Sequence, residues 1–89
     1  MIYVLQIDRD KSDLYYVRIL DGLVTLFSFQ VGSISDALRI GGADTQNGLA
    51  GFHIWYGHVC IGTTSLHAMR HDAETLAQRL VSLHSQFGE

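Results

Sequence analysis

The sequence predicts an α+β domain: an antiparallel five-stranded sheet, element order β-β-β-α-β-β-α, with two helices packed on one of its faces. Three observations predict it. Segments rich in β-branched and aromatic residues fill positions 2–31 and return at 52–61. Turn formers punctuate them at Asp21-Gly22 and Gly57. A helical repeat follows, with Met69, Ala73, Leu76, Leu80, Leu83 and Phe87 at alternating spacings of four and three. With 89 residues, no internal repeat, no low-complexity tract and no proline, the chain reads as a single α+β domain over 1–89.

The first strand is expected over Ile2–Ile7, ending in the polar cluster Asp8 to Asp13. Leu14–Leu20 forms the second, and Asp21-Gly22 supplies the positive φ of a hairpin into a third strand over Leu23–Val31. Ser33 caps a short helix through Asp36, Ala37, Leu38 and Ile40, which Gly41-Gly42 ends in the left-handed conformation. Four glycines between Gly41 and Gly51 make the longest loop, a connector or a partner-binding segment. Phe52–Tyr56 and His58–Ile61 are two strands around Gly57, and a final helix starts near Arg70 to Asp72 and stops at Gly88.

Composition narrows the function classes. Six basic and nine acidic residues give a net charge of −3 with no run of either sign, which excludes a nucleic-acid backbone binder and a dense acidic mimic of one. The lone Cys60 fits a reducing compartment, and no span approaches the roughly 20 apolar residues of a membrane helix. A cytoplasmic protein is expected, without nucleic-acid or membrane partners. Asp8, Asp10 and Ser12 imitate the start of a calcium loop. Asp13 stands where its glycine belongs and Ile19 where its glutamate belongs.

A half-buried strand alternates apolar and polar residues, because successive side chains point to opposite faces. Here Leu14, Tyr16 and Leu20 oppose Tyr15, Val17 and Ile19, and Ile2 and Val4 oppose Tyr3, Leu5 and Ile7. Two helices cover one face only, so a protein partner is expected on the other. The candidate interface residues are Tyr3, Tyr15, Val17, Ile19, Phe52, Trp55 and Tyr56, the aromatics supplying large contact area at little rotamer cost. In size, charge and element order the chain resembles the acidic dimeric chaperones of bacterial secretion systems, without their leading helix.

All five histidines fall after residue 52, near Cys60, and imidazole and thiolate are zinc or copper ligands. His53, His58, Cys60, His67 and His71 therefore form an alternative metal or small-ligand set, although their spacing matches no known zinc pattern. Val59-Cys60-Ile61 reads as strand core, which makes the cysteine a small packed hydrophobe rather than a nucleophile. No acid, base and nucleophile set is present. The expectation is a non-catalytic protein-interaction module without a cofactor: a homodimer, or an inhibitor, adaptor or chaperone-like subunit of a larger partner.

Overall fold

The computed structural model describes residues 2–43 and 51–87, which form strands β1 (Ile2–Lys11), β2 (Leu14–Asp21) and β3 (Val24–Val31), helix α1 (Ile34–Ala43), strands β4 (Gly51–Tyr56) and β5 (Val59–Ser65), and helices α2 (Leu66–His71) and α3 (Ala73–Phe87). The α+β class stands. The sheet order is β3-β2-β1-β4-β5.

The sheet is mixed where a purely antiparallel one was expected. β1 pairs antiparallel with β2 but parallel with β4, from Ile2↔Gly51 to Ile7↔Tyr56. The reason lies in the crossover. A meander leaves β3 running parallel to β1, and the α1 connection returns the chain to lay β4 against β1 in that direction. The central strand is thus the first one in the sequence.

Three helices replace the expected two. Ser65 caps α2, its hydroxyl accepting from the Ala68 amide at 3.1 Å, so the helical repeat begins at Leu66 and not near Asp72. Asp72 instead marks the break between α2 and α3. Its amide donates to the Ala68 carbonyl, and its own carbonyl accepts from Leu76.

The Ser33 cap forms as expected, with its Oγ accepting from the Asp36 amide at 3.1 Å. Gly41 and Gly42, however, lie inside α1 and have ordinary φ; positive φ occurs at Gly22, Gly57 and Gly62. Their role is close approach. A Cβ on Gly42 would stand 2.8 Å from the Met69 Cβ and 3.0 Å from the Leu66 carbonyl oxygen, so α1 and α2 meet backbone to backbone. The polar cluster after Ile7 is also less of a turn than its composition suggests. β1 runs on to Lys11, with Arg9↔Tyr15 paired before a register shift. The central part of the Gly41–Gly51 loop and the Gly88 stop lie outside the described residues.

Leu5 and Ile7 of β1, Val17 and Ile19 of β2, Phe52, Ile54 and Tyr56 of β4, and Val59 of β5 point to one face. There they form a single buried cluster with Ile34, Ala37 and Leu38 of α1, Met69 of α2, and Ala73 and Leu80 of α3. All three helices therefore cover the same side. None of the described helices is long and apolar enough to cross a membrane.

Candidate interaction surface

The other side of the sheet is the first candidate. Alternation places Ile2, Val4, Gln6 and Asp8 of β1, Tyr16, Arg18 and Leu20 of β2, and His53 and Trp55 of β4 on it. No described element packs over them. Ile2 is 43% exposed and Tyr16 38%, while Val4, Leu20 and Trp55 are half-buried.

A polar seam divides this apolar surface. The Arg18 Nη2 donates to Asp8 Oδ2 at 3.3 Å, and the Gln6 Nε2 donates to Asp8 Oδ1 at 3.3 Å and to the Gly57 carbonyl at 2.9 Å. The Arg18 Nε is buried and has no hydrogen-bond partner. A buried donor left unmatched costs about 1–3 kcal/mol, so the face carries polar potential as well as apolar area.

The expected interface residues divide between the two faces. Val17, Ile19, Phe52 and Tyr56 are buried beneath the helices, and Tyr3 and Tyr15 pack partly buried against that core. These six are taken by the chain's own helices, and Trp55 alone of the seven lies on the uncovered side. The other apolar residues of that side are Ile2, Val4, Tyr16 and Leu20. Each belonged to the opposite set in the same alternation, so the apolar pattern separated the faces correctly without ranking them, and only the polar Gln6, Asp8 and Arg18 of the second set distinguish it.

The histidine and cysteine set does not converge. His53 reaches Thr63 Oγ1 through Nδ1 at 3.0 Å, His58 lies 5.6 Å from His84 between ring centroids, and His67 lies 4.5 Å from His71 along α2. Cys60 is exposed, its Sγ accepting from the Gly62 amide at 3.2 Å. This corrects the packed thiol: Val59 takes the helix face, and its neighbour necessarily takes the other. No group of three His, Cys, Asp or Glu side chains among the described residues is placed to hold a metal.

A second candidate is a groove along α3. One part, of about 670 Å³, lies between α3 and the β2–β3 end of the sheet, with Tyr15 and Ile34 on one wall and Ala77 and Val81 on the other. A smaller part, of about 460 Å³, continues past Val81 and Ser85 to Arg9, Tyr56, Gly57 and His84. The Tyr15 and Tyr56 rings meet edge to face at 6.2 Å, and the His84 ring lies over Tyr56 at 4.6 Å. Burial pushes the Tyr56 phenol above its ordinary pKa, and the neighbouring Tyr15 adds to the rise while Arg9 opposes it. Tyr56 shares this part of the groove with the His84 ring and the Arg9 side chain.

Neither protein-family models, nor curated proteins, nor solved structures give a match to this chain.

Proposed function

We propose that this chain is a non-catalytic protein-interaction module that presents the uncovered face of its sheet to a protein partner. One observation carries the reading: Ile2, Val4, Tyr16, Leu20 and Trp55 line a sheet face over which no described element packs. Burying apolar area is worth roughly 25 cal/mol per Å², which favours covering such a face. The Asp8–Arg18–Gln6 seam supports a protein partner over a purely apolar ligand, because groups that already hold one another in register can hydrogen-bond across an interface. The dispersed histidines and the exposed Cys60 offer no assembled set that competes with this reading.

The test is a photo-crosslinking amino acid placed at exposed Thr63, beside His53 on the uncovered face, and separately at exposed Arg79 on α3. In the cells that make the protein, irradiation is expected to give a discrete polypeptide adduct from position 63 and none from 79. Uncrosslinked chain from both positions, or equal adducts from both, overturns the reading.

A further inference from the structure

Alternation along β1 carries Leu5 and Ile7 under the helices and turns Arg9, two residues on, to the same side. Unlike them Arg9 is exposed, bordering the smaller part of the α3 groove. Its partner across β2 is Tyr15, and Tyr56 stands beside Ile7 on β4. His84 completes the group from α3, its ring 4.6 Å from that of Tyr56. The fold thus gathers a guanidinium, two phenols and an imidazole at one end of a groove.

The Arg9 Nη2 donates to the Ser12 carbonyl at 3.3 Å, and no carboxylate among the described residues forms an ion pair with this side chain. A guanidinium carries five N–H donors, and a carboxylate takes two of them in parallel. Asp8 borders the same part of the groove, but its carboxylate accepts from Arg18 and Gln6. The groove's other acidic residues, Asp13 and Glu74, line its larger part, Glu74 already bound to Arg39 at 2.8 Å. Between the two ends the walls are apolar, with Tyr15 and Ile34 facing Ala77 and Val81. Ala77, Val81 and Ser85 follow one another at four-residue spacing, so α3 turns a line of small side chains toward this space, and Val81 is left 50% exposed. The larger part alone holds about 670 Å³, within the roughly 300–1,000 Å³ of small-molecule sites.

We propose that the α3 groove binds an apolar monocarboxylate, a short fatty or aryl-alkyl acid, whose carboxylate pairs with Arg9 beside Tyr56 and His84 and whose hydrocarbon body lies along Tyr15, Ile34, Ala77 and Val81. Charge complementarity names the ligand class. One guanidinium matches one carboxylate and repels a cation. A phosphate dianion would bring a second negative charge into a groove that already holds Asp13 and Glu74. A neutral hydrocarbon would fill the apolar walls but leave the arginine unmatched. The site lies on the helix side of the sheet, so it does not depend on what the uncovered face binds.

The experiment titrates octanoate and, separately, 1-octanol into the protein at neutral pH and follows the backbone amides by nuclear magnetic resonance. Octanoate is expected to shift Arg9, Tyr15, Tyr56, Ala77, Val81 and His84 saturably below about 1 mM. Octanol is expected to bind about tenfold more weakly, the loss of one charge-assisted pair. Arg9→Gln is expected to bring octanoate down to the octanol affinity and to leave octanol unchanged. Arg79→Gln removes the same charge from an exposed position of α3 and is expected to keep the wild-type preference. The amide spectrum of each variant reports its fold in the same measurement. No saturable shift, equal affinity of wild type for the two probes, or an equal loss in both variants overturns the proposal. So do shifts confined to Ile2, Val4, Tyr16 and Trp55 on the uncovered face.

Discussion

Adjacent glycines in α1 are expected to respond oppositely to the same substitution. A Cβ on Gly42 would stand 2.8 Å from the Met69 Cβ, 3.0 Å from the Leu66 carbonyl oxygen and 3.1 Å from the Arg70 Cγ. Two of these atoms are fixed to the α2 backbone, so relief requires the helices to part by roughly 1 Å to reach ordinary contact at about 3.5–4.0 Å. Met69 is fully buried beneath that crossing, and parting the helices loosens its packing. Overpacking of this kind costs about 1–3 kcal/mol, against a gain of about 0.5–1 kcal/mol for replacing glycine inside a helix. Gly42→Ala is therefore expected to lose about 1 kcal/mol net, which lowers Tm by about 4–8 °C in a domain of this size. At Gly41 the nearest atoms are the Met69 Cε at 3.1 Å and the Leu5 Cδ1 at 3.4 Å, both ends of flexible side chains. They yield, and the helix gain offsets most of the cost, so Gly41→Ala stays near wild type. Thermal and urea unfolding followed by circular dichroism measure both. If Gly42→Ala unfolds at or above the temperature of Gly41→Ala, the close crossing of α1 and α2 is wrong.

Tyr56 and Cys60 give two further tests. The folded-state pKa of Tyr56 is raised above the ordinary 10.0 by burial first and Tyr15 second, so its contribution is complete below pH 10 and is lost as pH climbs through the folded value. Tyr56→Phe is expected to flatten the fall in urea stability above pH 10, and a variant that keeps the wild-type alkaline slope contradicts the placement of that phenol. Cys60, exposed on the uncovered face, is expected to react with iodoacetamide in the native protein at a dilution where the chain runs as a monomer. Reaction only after denaturation would return it to the core.

Local chemistry made much of the fold legible. The hairpin at Asp21-Gly22 formed with Gly22 at φ 63°, Gly57 turned at φ 59°, and Ser33 capped α1, because each depends on a few neighbouring residues. Gly41-Gly42 misled for the opposite reason. Two consecutive glycines signal a helix end when only the chain is considered, whereas here they make room for Met69 and Leu66, which lie more than twenty residues away. Cys60 misled similarly: its apolar neighbours suggested a core strand, and the parity of the strand decided otherwise.

The candidate surface follows from one non-local choice. After the meander, the chain at Val31 stands at the outer edge, and β4 pairs beside β1, so the α1 connection must pass across β2 and β1 on one side of the sheet. Once it does, Leu5, Ile7, Val17 and Ile19 become the floor beneath α1, and α2 and α3 complete that layer through Met69 and Leu80. Val4, Tyr16, Leu20 and Trp55 are left on the other side by the same act. Had the crossover taken the opposite face, these residues would have been the core and the expected interface set would have been exposed. The two sets are similarly apolar, which is why alternation marked both and ranked neither. The Arg18–Asp8 pair breaks the tie: sealing it under α1 would have removed both half-exposed charges from water, and a buried pair recovers that desolvation cost only when its remaining donors and acceptors are matched. The polar seam thus selects the face that stays outside, the one proposed above to meet a protein partner.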